Sequence, residues 1–358
     1  MTDTLTSAPP LTDATTADRL SQFLVANPRA HLRDAAVALS VSELSLLLAH
    51  QAAVAVPLRG GSWPDLFAAF ETLGEVRTMT RNEWAVIERT GSYVGVQSFG
   101  LMGQSVGPEL DVRAFFREWR TAWAVTTTTE QGPRLSIQLF DASGDSIHKV
   151  FATDAGHAAF SAMTSRFRAE NSTDVTPSLE PRPTSAERPD DAIDVTELHA
   201  RWDAMKDSHQ FHGMLRDLNV TRTQALRLAG DTRAKRVGGG ALQHLLEGAA
   251  ATAERVMIFV GNRGLIQIHI GEIHRVVRAS GWLNVLDPRF NLHVRDTEIA
   301  SSWIVTKQST DGPIQSLEVF ANDGSTIAQV FGKRMEGTGS TPIGFGALLD
   351  GVLDECAE

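Results

Sequence analysis

A chain of 358 residues, 42% hydrophobic and 21% charged, is long enough for two domains, and its composition excludes a disordered or fibrous polymer. Its formal net charge of −10 argues against a broad nucleic-acid footprint, so basic residues that matter must be gathered in a pocket. The single cysteine, Cys356, excludes an internal disulfide and a thiolate metal cluster, and it fits a reducing compartment.

In chain order, residues 1–15 read as disordered, with neither the basic nor the apolar region of a signal peptide. No run approaches the roughly 18 apolar residues that span a bilayer. The expected protein is cytoplasmic and not membrane-embedded. A first half, 16–170, opens with a helix over 17–25 that stops before Pro28. Two short helices follow at 33–39 and 43–49 around the turn Ser40 to Ser42. This pair resembles a helix-turn-helix, but the acidic charge argues against DNA, and a helical pair in a small core is the plainer reading. Strands are predicted at 76–80, 84–89, from 93, and at 110–115. A helical stretch is predicted at 117–123 and a strand at 123–128. A hairpin over 136–140 and 146–151 turns at Ala142-Ser143-Gly144, and a helix at 155–169 closes the half.

Residues 171–193 contain four prolines and no apolar period, which reads as a linker. A second half, 194–350, begins with one helix over 194–216, with Asp194 and Glu197 at its N-cap and N3 positions. A short helix at 223–229 follows. Gly238-Gly239-Gly240 reads as a flexible joint, since no Lys-Ser/Thr follows to make a phosphate loop. Strands are predicted at 255–260, 265–270, 291–294, 302–307, 316–320 and 327–331, the last hairpin turning at Asn322-Asp323-Gly324.

The two halves are copies. At an offset of 180, Trp123, Val125, Gly132, Pro133, Ser136, Phe140, Gly144, Ile147, Val150 and Phe151 fall on Trp303, Val305, Gly312, Pro313, Ser316, Phe320, Gly324, Ile327, Val330 and Phe331 without a gap. A weaker match at an offset of 179 sets Leu39, Val41 and Leu47 on Leu218, Val220 and Leu226. The predicted class is α+β with an internal duplication: two similar halves about a pseudo-twofold, each with a large, mostly antiparallel sheet and flanking helices.

Seven of the eleven histidines follow residue 198, yet no HExxH and no zinc spacing occurs. Trp202, Met205, His209, His212 and Arg216 recur at helical spacing, as one mainly apolar stripe with imidazoles in it. A core histidine and an iron ligand both remain open on that pattern. The repeat adds a contrast. Thr127 and Lys149 of the first half stand where the second has Lys307 and Gln329. Strand alternation places Gln329 and Phe331 on one face with Ile327. A lysine and a glutamine beside an aromatic suit an anionic ligand with a flat apolar body, or else a solvated face. No Ser/His/Asp order, paired-carboxylate motif or nucleotide fingerprint stands out.

The segments LGEVRTMTRNE (73–83), DVRAF (111–115), LFDASGDSIHK (139–149), 202–215, FVGN (259–262), GWLNVLDP (281–288) and QVFGKRMEG (329–337) resemble the HemS/ChuS/HmuS family of bacterial cytoplasmic haem-trafficking and haemin-degrading proteins. The resemblance runs from about Arg29 to Gly337. It implies a haem b held mostly by the second half, with one arm from the first. It implies His209 as the axial ligand of haem iron and His212 as the alternative. Arg113 would lie on the other haem face and orient a bound oxygen species, the catalytic pair then being Arg113 and His209. Arg222, Lys307 and Gln329 would contact propionates and edge, Phe259 would pack against the ring, and Arg334 is placed more loosely. Phe331 stands where the family often has tyrosine, which removes one hydroxyl from the haem contacts. The implied function is a protein that receives imported haem and either opens the ring oxidatively, releasing iron, or passes it on. Opening would need an electron donor and dioxygen or peroxide. The alternative is a non-enzymatic chaperone delivering haem to a separate haem oxygenase. Implied partners are an inner-membrane haem ABC transporter, a reductase or a haem oxygenase, and no nucleic acid.

Overall fold

The computed structural model describes residues 14–28, 30–50, 53–59, 62–130, 132–170, 179–180, 187–334 and 339–357. The expected disorder at 1–15 falls almost wholly outside these residues, as does most of the expected linker. The first half runs α1 (Ala14–Ala26), α2 (Leu32–Leu39), α3 (Glu43–Ala49), β1 (Ala53–Leu58), α4 (Trp63–Ala69), β2 (Glu75–Arg81), β3 (Ala85–Ser92), β4 (Gln97–Phe99), β5 (Met102–Val106), β6 (Asp111–Phe115), β7 (Thr121–Thr129), β8 (Gly132–Phe140), β9 (Ser146–Ala152) and α5 (His157–Phe167). The second runs α6 (Val195–Asp203), α7 (Gln210–Leu218), α8 (Arg222–Leu228), β10 (Ala234–Val237), α9 (Ala241–Thr252), β11 (Val256–Gly261), β12 (Leu265–Gly271), β13 (Val276–Ala279), β14 (Trp282–Asp287), β15 (Phe290–Val294), β16 (Ser301–Lys307), β17 (Ile314–Phe320), β18 (Thr326–Gly332) and α10 (Ile343–Glu355). Helices and strands alternate in the same order in both halves, as a duplication requires. The class is α+β, with two antiparallel sheets of nine strands each. Among the described residues no helix is long and apolar enough to cross a membrane.

The chain forms two compact units, and each takes in a short piece of the opposite half. Unit 1 comprises Met1–Thr80, Thr90–Pro183 and Asn262–Ile266; unit 2 comprises Arg81–Arg89, Thr184–Gly261 and Gln267–Glu358. In unit 1 the ladder β1-β7-β8-β9-β2 is antiparallel throughout. Its core includes Leu58, Phe67, Phe70, Val76, Leu110, Ile137, Val150 and Phe160, with Leu265 from the inserted piece. In unit 2 the ladder β10-β16-β17-β18-β11 repeats that order. A core of Ile258, Val260, Leu317, Val319, Val330, Leu245 and Phe345 fills its α9 and α10 side, and Ala85 and Ile87 of the inserted piece join it.

The inserted pieces are held by equivalent asparagines. In unit 2, Asn82 Oδ1 accepts the Trp84 and Ala85 N–H groups at 3.0 and 2.8 Å, and Nδ2 donates to the Ile327 carbonyl at 2.9 Å. In unit 1, Asn262 Oδ1 accepts from Gly264 and Leu265 at 2.9 and 3.0 Å, and Nδ2 donates to the Ile147 carbonyl at 2.8 Å. A short amide side chain thus takes two N–H groups of its own turn and spends its own N–H on a strand carbonyl.

Four local expectations change, the simplest being that the strand expected from Tyr93 begins only at Gln97, as β4. The helix expected at 117–123 is a single 3-10 turn, Phe116–Glu118, and the chain is already extended from Thr121. There β7 is paired on both sides, by β1 and β8, which outweighs the helical propensity of a few residues. The helix expected over 194–216 is two helices, α6 and α7, with a turn between them. Ile327 leaves the face of Gln329 and Phe331, because a β-bulge opposite Val319 and Phe320 shifts the register and delivers it to the core on the other side.

Unit 1 buries a polar triad in its core. The His148 ring is hydrogen-bonded at Nδ1 to Thr80 Oγ1 (2.7 Å) and at Nε2 to the Tyr93 hydroxyl (2.6 Å). Offset by 180, the second half has Ala328, Val260 and Ile273 at these places, all buried. Burial lowers the His148 pKa to about 3, despite a hydrogen bond with the Met79 backbone that raises it. Unfolded, the same ring titrates near 6.5. Below about pH 6.5 the unfolded chain therefore takes up a proton that the folded chain refuses, so stability is complete above that pH and falls as pH drops toward 3. Urea unfolding between pH 7 and 5 is expected to show this loss, about 1.4 kcal/mol per pH unit from this ring. His148→Leu should lower stability at pH 7 but flatten the slope, and an unchanged slope would show that His148 does not carry it.

Candidate functional site

The α6 to α8 side of the unit 2 ladder carries the polar residues that the repeat singled out. Register places Trp303, Val305 and Lys307 of β16, Ser316, Glu318 and Phe320 of β17, Gln329 and Phe331 of β18, and Met257 and Phe259 of β11 on one face. Trp202, Met205, Phe211, Met214, Leu215 and Leu226 pack over Val305 and Phe320.

Beside this packing sits a wholly buried carboxylate. Glu318 accepts two hydrogen bonds from Arg222, Nε at 2.6 Å and Nη2 at 2.8 Å. It also accepts from Lys307 Nζ at 2.6 Å and from Ser316 Oγ at 3.1 Å. Arg222 stands at the first position of α8, whose N-cap Thr221 accepts from the Gln224 N–H. The Phe211 ring lies 5.0 Å from the Arg222 guanidinium and 4.8 Å from Lys307 Nζ, and Phe331 lies 5.6 Å from the same ammonium. All three are cation–π distances. Phe259 meets Phe331 edge-on at 5.2 Å. Gln329 Nε2 and Trp303 Nε1 are buried with no hydrogen-bond partner among the described residues.

The charges do not balance. Two cations share one carboxylate, so the cluster keeps an excess positive charge in a largely dry place. Burial pushes the Glu318 carboxyl up, but Arg222 and Lys307 more than reverse that and hold it well below the carboxylate range. Burial brings Lys307 down to about 8; Glu318 opposes that and Arg222 adds to it. A net positive charge, an unsatisfied amide donor and half-buried aromatic edges suit an anion attached to a flat apolar body.

The histidines lie at the start of α7. His209 is its N-cap and His212 stands three residues on, and both rings are exposed. Between them Phe211 turns inward onto the Arg222 and Lys307 cations, so one helical turn carries both the imidazoles and the aromatic wall of the cluster. The His209 side chain is 88% exposed, and its Nδ1 is 2.6 Å from Asp207 Oδ1. Arg334 follows β18, donates to the Gly339 carbonyl at 3.2 Å, and acts electrostatically on Asp207. Unit 2 thus brings together Arg222, Lys307, Gln329, Phe259 and Phe331 on one sheet face, and ties Arg334 to the His209 turn. Arg113 belongs to unit 1. It lies on β6 opposite Gln104 of β5, and its guanidinium binds the buried Asp111 carboxylate and, at 3.0 Å, the Val112 carbonyl.

Three residues escaped the sequence reading: Glu318, Asp207 and Phe211. The repeat held a signal for the first. At the same offsets the first half has Glu43, Thr127, Gln138 and Lys149 where the second has Arg222, Lys307, Glu318 and Gln329. In unit 1 Lys149 pairs with Glu43, one cation with one anion. Only the second half keeps a cation to spare.

Fold and site together define a class: a duplicated α+β protein whose second copy builds a cation-rich, aromatic-walled cluster. Comparison with known proteins gives that class its family. The model of the haemin-degrading HemS.ChuX domain matches residues 40–167 and again 219–349. The hemin transport protein HemS of Yersinia enterocolitica is 40% identical over 314 residues, 87% of this chain and 90% of the relative. The crystal structure of holo-PhuS, a heme-binding protein from Pseudomonas aeruginosa, superposes with a TM-score of 0.89 at 39% identity, over 95% of this chain and 98% of that one. The heme degrading enzyme ChuS of Escherichia coli O157:H7 gives a TM-score of 0.87 at 35% identity, over 94% and 98%. The chain belongs to the haemin-degrading HemS.ChuX family.

Replacing Glu318 tests the cluster itself. In Glu318→Gln the buried Lys307 and the half-buried Arg222 lose their counter-charge, and unfolding stability should fall by about 3–5 kcal/mol, the usual cost of breaking one side of a buried pair. Denaturant unfolding at pH 7 measures it, and a loss under about 1 kcal/mol would show that the pairing is not structural.

Proposed function

We propose that the protein is a cytoplasmic haem-binding protein that receives imported haem and either degrades it oxidatively or hands it on. The observation that carries this reading is the excess positive charge of Arg222 and Lys307 over Glu318, beside the orphaned amide of Gln329. These groups fit a haem propionate: a carboxylate on a flat apolar ring, which Arg222, Lys307 and Gln329 would hold while Phe259 and Phe331 pack its edge. His209 fits the iron, since its Nδ1 is held by a carboxylate and its ring is otherwise exposed. When bound, haem supplies the redox iron through which a reductant and dioxygen or peroxide open the porphyrin ring. The role of Arg113 rests on the family resemblance. A guanidinium that does not lose its proton would donate hydrogen bonds rather than ligate iron.

Hand-over to another protein is the second reading, and it is favoured by His212. A second exposed imidazole three residues along α7 offers the iron another ligand as haem leaves.

Haemin titration followed by the Soret band tests the binding. His209→Ala combined with His212→Ala should remove the histidine-ligated spectrum, and an unchanged spectrum would exclude both ligands. Incubation of the haemin-loaded protein with ascorbate or a reductase, with catalase present, separates the two fates. Loss of the Soret band with a linear tetrapyrrole product supports degradation, and intact haem supports hand-over. Affinity should also depend on pH. Lys307 is protonated and holds a carboxylate below about pH 8, and loses that charge as pH rises through this value. Haemin affinity is therefore expected to fall between pH 7 and 9 in the wild type. In Lys307→Met it should be weaker at pH 7 and nearly flat over the same range.

A further inference from the structure

The turn between α6 and α7 is closed by two side chains. Gln210 Oε1 accepts the backbone N–H groups of Lys206 at 2.8 Å and Asp207 at 3.3 Å. Asp207 Oδ1 accepts the backbone N–H of His209 at 2.8 Å and its ring Nδ1 at 2.6 Å. One carboxylate oxygen therefore fixes the backbone and the ring of the same histidine. The Asp207 side chain is 60% exposed, and an aspartate in contact with water is ionised at neutral pH, so it is a charged acceptor.

This geometry dictates the tautomer. A charged carboxylate at 2.6 Å accepts a proton that must sit on Nδ1, which leaves Nε2 with its lone pair free. It also changes the ring electronically, because an anion that polarises Nδ1–H raises the electron density at Nε2 and makes it a stronger donor to a metal. His212 has none of this support. It is exposed, with no hydrogen-bond partner among the described residues.

We propose that Asp207 is a positioning residue that selects His209 over His212 as the iron ligand and strengthens it as a donor. The inference rests on the haem-binding reading and adds what decides between two exposed imidazoles on one helix. It also gives the turn a purpose. A continuous helix over 194–216 would commit the His209 N–H to a backbone carbonyl four residues back, whereas the break leaves that N–H to Asp207.

Asp207→Asn keeps an oxygen for the backbone N–H but removes the charge. Because Asp207 is largely exposed, the variant should fold. The full chain loaded with haemin is compared in four forms: wild type, His212→Ala, Asp207→Asn, and the two substitutions together. In the His212→Ala background, Asp207→Asn should weaken haemin binding by about 10–100-fold. The ferrous iron–imidazole stretch in resonance Raman should move to lower frequency, and the ferric/ferrous potential should become more positive. With His212 present the affinity loss should be smaller, because His212 takes up part of the iron. If binding, stretch and potential are all unchanged by Asp207→Asn in the His212→Ala background, while His209→Ala removes the stretch, Asp207 has no such role although His209 remains the ligand. If His209→Ala in that background leaves the stretch and the Soret band intact, the ligand assignment itself fails, and the role of Asp207 with it.

Discussion

The second half is arranged around the carboxylate of Glu318. A charged group wholly out of water is stable only if its oxygens are paired and hydrogen-bonded, since leaving it alone costs several kcal/mol. Arg222, Lys307 and Ser316 meet that requirement. They come from α8, β16 and β17, so one anion fixes the seat of a helix on two strands. Phe211 then lies against both cations, which settles the start of α7, and α7 carries His209 and His212. Charge pairing in the core and the display of imidazoles at the surface are consecutive steps of one chain of contacts.

Duplication shows what the frame demands and what it leaves open. Both copies build the same ladder, the same asparagine-capped turns and the same edge of apolar strand residues. Their buried polar residues differ at matched places. The first copy closes Glu43 on Lys149, and separately buries His148 between Thr80 and Tyr93 where the second is apolar. The second sets two cations against one carboxylate. The backbone tolerates either arrangement, because each gives its buried carboxylate at least one cation. Function can therefore diverge between copies without a change of fold.

Much of this was legible beforehand. The hairpin of β17 and β18 follows from alternation and an Asn-Asp-Gly turn, and the interest of Lys307 and Gln329 follows from reading one copy against the other. The break before α7 was not legible, because Trp202, Met205, His209 and His212 keep helical spacing across it. Periodicity reports which residues face inward; it does not report that Asp207 and Gln210 will take the backbone donors of a turn. Ile327 was misplaced for a similar reason, since a bulge costs one residue of register and leaves no mark in composition.

The sequence by itself determined the duplication, the order and type of most elements, and a different set of polar residues at matched places in the second copy. These depend on residue type and spacing, which a chain carries openly. Tertiary structure alone decided that Glu318 stands between Arg222 and Lys307, that Gln329 keeps an unpaired amide, and that Asp207 grips His209 on both backbone and ring. Pairing of buried charges is settled by which strands and helices meet. Residues 222, 307 and 318 share a site only after α8 packs on the sheet.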